Sequence, residues 1–166
     1  MRLPIIITAG LLLCLGLNLP VRSQSTVELA QVTFGNNSKL ELRRLKLNER
    51  LWNKQNLSNY RYTLSNSCFC IPDARGPVVI EVRNRQTVSV TSVETGQAVD
   101  PQFFQRYNTI PKLFNVIEDA IKRQAFRLDV EYNHKYSYPT KINIDYNAQI
   151  ADEEIFLTIE NFQIIK

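Results

Sequence analysis

Two stretches of the chain decide its fold: Pro77-Val78-Val79-Ile80-Glu81-Val82 and Pro139-Thr140-Lys141-Ile142-Asn143-Ile144. Each begins with proline, which lacks an amide donor and is tolerated at the first residue of a strand. Each continues with β-branched residues, which favour strands. Each is also the middle of three predicted strands that follow a predicted helix. We therefore expect two helix-plus-three-strand units, and we interpret them as an internal duplication.

The first unit opens with a helix. Ser38-Lys39-Leu40-Glu41 fits a capping box, which satisfies backbone amides at a helix start. The helix is predicted from about Lys39 to Lys54, and its buried side is expected to consist of Leu40, Leu47 and Leu51, with Leu45 and Trp52. Alternating apolar and polar residues then predict three strands: Tyr60 to Leu64, Val78 to Arg83, and Thr87 to Val93.

The second unit repeats this order after a short helical turn at Asp100-Pro101, whose Phe103, Phe104 and Tyr107 are expected to be buried. Thr109 caps a second helix, predicted over Ile110 to Arg123, with one apolar stripe: Ile110, Leu113, Phe114, Ile117, Ala120 and Ile121. Strands follow at Leu128 to Tyr132, Thr140 to Tyr146 and Ile155 to Ile159. Short links favour antiparallel pairing, so we expect an α+β fold with both helices packed on one face of an antiparallel sheet.

The first residues are typical of a signal peptide. Arg2 precedes an uncharged apolar run from Ile5 to Leu17, and a cleavage site is predicted ahead of Gln24. The run is about 13 residues long, whereas a helix needs about 20 to span a bilayer. An uncleaved anchor remains the alternative, and Leu13 disfavours a lipid on Cys14 because a small residue is expected there. We therefore expect an exported protein, in the periplasm or outside the cell.

The predicted domain organisation follows from this boundary. Residues 1–23 form the signal peptide and 24–37 a loose lead-in. Residues 38–166 form a single domain, with units at about 38–96 and 100–166. After cleavage no segment is expected to span a membrane stably, and we expect a monomer.

Net charge argues against a nucleic-acid partner. The whole chain has a formal charge of +4, and removal of Arg2 and Arg22 leaves about +2. We expect this weak excess to be spread along the chain, whereas nucleic-acid binding needs a dense basic face. The only basic run is Arg43-Arg44 with Lys46, which we interpret as a solvated helix face.

Several short motifs together resemble a known family. They are Tyr60-Arg61-Tyr62-Thr63-Leu64, Ser67-Cys68-Phe69-Cys70, Gly76-Pro77-Val78-Val79, Thr95-Gly96-Gln97 with Asp100-Pro101, Thr109-Ile110, Leu113-Phe114, Tyr136-Ser137-Tyr138-Pro139, and Ile150-Ala151-Asp152-Glu153-Glu154. This combination, from about Leu51 to Phe162, resembles the bacterial domain-of-unknown-function family 6174. Asn133-His134 stands where the family commonly has Asp-Pro, and Ser137 where it commonly has glycine. The resemblance implies export and this architecture, and it implies no known activity.

The cysteine pair Cys68 and Cys70 has three interpretations. An exported protein meets an oxidising compartment, so a structural disulfide is one. Because residues two apart in a straight strand lie about 6.5 Å apart, a bend would be needed between them. A redox-active pair is the second interpretation, and soft-metal binding is the third. For metal binding His134 is the only imidazole available, and we expect it to be a surface turn residue.

The densest acidic group is Asp152-Glu153-Glu154, with Asp145 on the preceding strand. Such carboxylates are weak calcium candidates, and they could also serve acid/base chemistry. The spacing lacks the alternating ligand pattern of a calcium loop, so a solvated loop is the simpler interpretation. We assign no catalytic residue and expect no cofactor.

Tyrosines provide the candidate contact patch. Tyr132, Tyr136, Tyr138 and Tyr146 are predicted around the start of the middle strand of the second unit. Tyrosine is enriched at recognition surfaces because it is both large and amphipathic. The chain is therefore interpreted as a non-enzymatic extracytoplasmic module that binds an unknown protein or small ligand. The alternatives are a redox or soft-metal protein using Cys68 and Cys70, and an enzyme using the carboxylates.

Overall fold

A computed structural model describes residues 26–68, 70–149 and 154–166, with side chains from Ser38 onward. The predicted signal peptide lies outside these residues. Two helices are α1 (Thr26–Lys54) and α2 (Ile110–Lys122). Six strands are β1 (Tyr60–Ser67), β2 (Val78–Arg83), β3 (Gln86–Ser92), β4 (Arg127–Tyr132), β5 (Pro139–Asp145) and β6 (Ile155–Ile164). Short 3-10 helices cover Pro72–Ala74 and Pro101–Phe104.

The strands form one antiparallel sheet in the order β3-β2-β1-β6-β5-β4. The predicted order of helices and strands and the α+β class are therefore confirmed. The first strand of one run of three, β1, pairs with the last strand of the other, β6. Internal duplication remains a prediction.

The sheet has one buried and one exposed face. Tyr60, Tyr62 and Leu64 of β1 alternate with Arg61 and point into the core, together with Val78, Ile80, Val82, Ile142, Ile144, Ile155, Leu157 and Ile159 from the other strands. Because side chains alternate across a strand, the opposite face carries mostly polar residues. We call these two sides the inner face and the outer face.

Helix α2 packs on the inner face as predicted. Thr109 caps it by accepting a hydrogen bond from the amide of Lys112, and Pro111 occupies the first turn. The buried side chains of the helix are Ile110, Leu113, Phe114, Val116, Ile117 and Ala120. Of the residues expected in the preceding turn, Phe104 and Tyr107 are buried, whereas the prediction for Phe103 is wrong because it is exposed.

Helix α1 differs from its prediction in two respects. It begins at Thr26, so Ser38 is inside the helix and does not cap it, and residues 26–37 of the expected loose lead-in are helical. Among its described side chains Leu45 and Trp52 are buried, as expected, but Leu40, Leu47 and Leu51 are exposed. The prediction that these three leucines face the core is wrong.

A bulge in β6 extends the core beyond the predicted strand. The β1–β6 register shifts between Arg61 and Thr63, and Asn161 on β6 has a φ of +52°. The extra residue turns Phe162 to the inner face, where its ring lies 4.6 Å from that of Tyr138 and 5.7 Å from that of Trp52. This aromatic cluster joins α1 to the centre of the sheet.

Candidate interaction surface

The solvent-facing side of α1 carries exposed apolar residues. Leu40, Leu47 and Leu51 are 56%, 51% and 40% exposed. At about 100° per residue, they lie within an arc of about 40° on the helix. The buried Leu45 and Trp52 lie about 120–140° away from Leu40 on the same scale. Helix α1 therefore has two apolar stripes, one in the core and one on the surface.

Basic residues flank the exposed leucines. On the same helical scale Lys39, Arg43, Arg50 and Lys54 lie within an arc of about 60° immediately beside the leucine stripe. All four are exposed. We call the leucine stripe with these four cations the α1 surface. The sequence signal that could have found it is the spacing of the cations, which recur at the helical period next to the leucines.

Glu41 and Glu49, the acidic residues of α1 whose side chains are described, are both paired with basic ones. Arg44 Nη1 lies 2.9 Å from Glu41 Oε1, and Lys46 Nζ lies 3.0 Å from Glu49 Oε2. On the helix both carboxylates lie outside the arc of the α1 surface. Within residues 38–54 the α1 surface is therefore apolar and cationic only.

Ion pairs also connect α1 to α2. Lys46 Nζ and Lys122 Nζ each lie 3.3 Å from Glu118 Oε1. Hydrogen bonds from Lys46 and then Lys122 lower the pKa of Glu118. The hydrogen bond to Glu49 is the largest of the effects that raise the pKa of Lys46. These ion pairs attach one side of α1 to α2. The α1 surface is not part of them and faces solvent.

The cysteine pair lies in the loop that follows β1. The sulfur atoms of Cys68 and Cys70 are within bonding distance, and their Cα atoms are 5.3 Å apart. The chain bends here, as this short separation requires. Asn66 Nδ2 donates to Cys68 Sγ at 3.2 Å, and Arg75 Nε donates to the carbonyl of Cys70 at 2.9 Å. The pair therefore fixes the local shape of the β1–β2 loop.

The four predicted tyrosines do not form one patch. Tyr136 and Tyr138, just before β5, both contact Phe162, and Tyr138 is buried. Tyr146 lies past the opposite end of β5, where the Arg123 guanidinium sits 3.9 Å from its ring centroid. These rings serve mainly the core and its margins.

Tyr132, on edge strand β4, lies beneath α1. Its ring stacks on that of Phe114, with centroids 6.4 Å apart. Burial raises the pKa of Tyr132, and the nearby carboxylate of Glu41 raises it further. Among the described residues the buried hydroxyl of Tyr132 has no hydrogen-bond partner. Sequence periodicity gives no sign of this orphan hydroxyl.

The predicted acidic group is only partly described. Asp152 and Glu153 lie outside the described residues, and Glu154 is exposed. Asp145 accepts a hydrogen bond from the amide of Asn147 at 2.9 Å, which shapes the start of the β5–β6 connection. Within the described ranges no three histidine, cysteine, aspartate or glutamate side chains come together as metal ligands. The calcium interpretation therefore stays a prediction.

His134 and its neighbours form the turn that connects β4 to β5. His134 is exposed in the β4–β5 turn, while Asn133 Oδ1 accepts hydrogen bonds from the amides of Lys135 and Tyr136. Ser137, at the position where glycine is common in the resembled family, has a φ of +62°. That left-handed conformation is the one glycine adopts most easily.

The fold and the α1 surface define a small α+β protein whose sheet is covered on its inner face and whose first helix carries an exposed amphipathic side. Within this class the chain belongs to the family of unknown function DUF6174, whose sequence profile matches residues 44–164. This match confirms the family resemblance drawn from the motifs. No curated protein and no solved structure matches the chain significantly. No helix among the described residues is long and apolar enough to span a membrane.

Proposed function

We propose that this protein is exported and acts outside the cytoplasm as a non-enzymatic interaction module, with the α1 surface as its contact site. Export is supported by the apolar run from Ile5 to Leu17 behind Arg2. The observation that carries the contact site is the exposure of Leu40, Leu47 and Leu51 on one side of α1. Contiguous exposed apolar side chains commonly mark an interaction site.

The rest of the helix supports this assignment. Leu45 and Trp52 already anchor α1 in the core, so the exposed leucines are not needed to attach the helix. An exposed leucine has an unfavourable contact with water that a partner would remove. The four cations beside the stripe favour an acidic or anionic partner.

Site-specific labelling tests both parts of the proposal. Leu47→Cys places a thiol on the α1 surface, and Thr158→Cys places a matched thiol on the exposed outer face of β6. A charged maleimide that cannot cross the cytoplasmic membrane is applied to intact cells and to purified protein. The unsubstituted chain gives the background from its native cysteines.

We expect both thiols to react in the purified protein. In intact cells we expect the Thr158→Cys variant to react and the Leu47→Cys variant to be protected by at least about tenfold. Failure of the Thr158→Cys variant to react in cells would refute export. Equal reaction of both variants in cells would refute the α1 surface as an occupied contact site.

A redox role for Cys68 and Cys70 is the second candidate. It is favoured by the proximity of the two sulfur atoms and by the hydrogen bond from Asn66 to Cys68 Sγ. A thiol count on the purified protein, before and after mild reductant, tests it. A pair that reduces and reoxidises readily supports the role, whereas a bridge that resists reduction contradicts it.

A further inference from the structure

We propose that the partner of the α1 surface is an anionic membrane surface, against which α1 lies flat. This inference rests on the proposed function, because it names the partner of the same site. The distribution of charge along the chain supports it. Residues 38–54 contain six of the 20 basic residues of the chain and two of its 16 acidic residues.

The whole formal excess of +4 is therefore carried by these seventeen residues, since the remainder of the chain has 14 basic and 14 acidic residues. The expectation that the excess is spread along the chain is wrong. Removal of Arg2 and Arg22 with a signal peptide would make the remainder slightly acidic. One short helical segment would then be the basic part of an otherwise acidic molecule.

The cations of the α1 surface are available to a partner. Among the described side chains, Lys39, Arg43, Arg50 and Lys54 have no carboxylate within ion-pair distance. The other two basic residues of the segment, Arg44 and Lys46, pair with Glu41 and Glu49. The unpaired cations are therefore those beside the exposed leucines.

The shape of the surface favours a membrane over a protein groove. The leucines project from the solvent-exposed side of α1, and Leu40 to Leu51 extends over about 16 Å along the helix axis. A row of leucines beside a row of lysines and arginines is the pattern of helices that lie in a membrane interface. Such a helix inserts its apolar side chains shallowly and keeps its cations at the level of the lipid headgroups.

The position of α1 in the chain is consistent with a membrane as the partner. The apolar run from Ile5 to Leu17 precedes α1, and it is expected to engage a membrane during export. The far side of α1 is occupied by the core through Leu45 and Trp52. Membrane contact through the α1 surface would therefore require no rearrangement of the described fold.

Vesicle co-sedimentation tests this inference on the chain as it is isolated from the extracytoplasmic fraction. Vesicles of phosphatidylglycerol and phosphatidylcholine in equal amounts are compared with vesicles of phosphatidylcholine alone. The charge variant is Arg43→Gln/Arg50→Gln/Lys54→Gln. A matched control, Arg61→Gln/Arg106→Gln/Lys166→Gln, removes the same charge from exposed residues outside α1.

We expect stronger binding to the anionic vesicles, weakened as salt is raised from 0.1 M to 1 M. Each cation near an anionic surface contributes about fivefold in affinity, so the charge variant should lose about 100-fold. Leu40→Gln/Leu47→Gln should lose about tenfold or more because apolar insertion is removed. The control variant should change binding by less than about threefold.

Two results would overturn the inference: equal binding to both vesicle types, or an equal loss in the charge and control variants. Unfolding temperatures of all variants are compared to show that each retains the native fold. Protection of the Leu47→Cys thiol in cells without any binding to anionic vesicles would refute the membrane partner. It would leave the interaction module and its contact site standing.

Discussion

The hydroxyl oxygen of Tyr60 accepts a hydrogen bond at 3.2 Å from the backbone amide of Ile110, the first residue of α2. Amides in the first turn of a helix have no partner within the helix, so this bond satisfies a buried donor. Tyr62, two residues along the same strand, donates to the carbonyl of Tyr107 at 2.7 Å. The alternation Tyr60-Arg61-Tyr62 thus places two phenols beneath the start of α2.

Alkaline pH should destabilise the fold through these phenols. Burial raises the pKa of Tyr60 to about 12 from the ordinary 10.0, and it raises the pKa of Tyr62 well above that ordinary value. Below pH 10 both phenols are protonated in the folded and unfolded chains, so their contribution is fully present. As the pH rises from about 10 to about 12, the unfolded chain loses protons that the native chain retains, and stability is lost.

Urea unfolding at pH 8, 10 and 11 measures this effect. At pH 8, Tyr60→Phe should reduce the free energy of unfolding by about 1 kcal/mol, because the amide of Ile110 loses its partner. Between pH 10 and 11 its stability should fall less steeply than that of the unsubstituted chain. Equal slopes would show that Tyr60 does not titrate in this way.

Tyr132→Phe should stabilise the protein by about 1 kcal/mol, because it removes a buried hydroxyl without a partner among the described residues. The matched variant Tyr62→Phe should destabilise it by about 1 kcal/mol or more, because the carbonyl of Tyr107 loses a buried donor. Thermal and urea unfolding of both variants provide the comparison. A loss of stability in Tyr132→Phe would mean that this hydroxyl has a partner.

Gly76→Ala should be strongly destabilising. Gly76 has a φ of +80°, and an added Cβ would lie 2.7 Å from the carbonyl oxygen of Leu64 and 3.0 Å from the amide of Val78. The left-handed backbone alone costs alanine about 1–2 kcal/mol, and the close approach adds to this. Gly96 is the matched control, since its φ is +68° and nothing lies within 4 Å of the added atom.

We therefore expect Gly96→Ala to cost about 1 kcal/mol and Gly76→Ala to cost clearly more. Urea unfolding at neutral pH gives both values. Equal costs would indicate that β1 and the loop before β2 can separate to admit the methyl group.

Glu118→Gln should weaken the contact between α1 and α2 by less than about 1 kcal/mol at pH 7, because the ion pairs are partly exposed. The pKa of Glu118 is lowered in the native state, so its contribution is present above the ordinary value of 4.5. That contribution is lost as the pH falls through the lowered pKa. The difference between variant and unsubstituted chain should therefore vanish at acidic pH, and a difference that persists at pH 2 would contradict this account.

The second helix was predictable because it has a single apolar stripe. In α2 the residues from Ile110 to Ala120 that recur at the helical period are also the buried ones. Helix α1 has two stripes, and the more obvious of them, with Leu40, Leu47 and Leu51, faces solvent. Periodicity locates a stripe but does not say whether the rest of the chain covers it.

Features that depend on partner strands were harder to infer. Phe162 joins the core only because the bulge at Asn161 reverses the alternation of β6, and the bulge is defined by pairing with β1. Tyr138 precedes β5 and Tyr146 follows it, so the length of this strand separates the two rings. The cysteine pair was inferred correctly as a candidate bridge because its geometry is local to three residues.

The strand order has a further consequence for assembly. At the centre of the sheet the first strand of one run of three, β1, pairs with the last strand of the other run, β6. The same pairing of a first strand with a last strand would form between two molecules if β4 of one paired with β3 of the next. Head-to-tail growth of this kind has no natural end. Ala98 bridges to Thr91 along one border, and Arg44 donates to the carbonyl of Val130 at the other. Both contacts occupy backbone groups at an edge of the sheet, and an edge strand covered in this way is less open to pairing with another molecule.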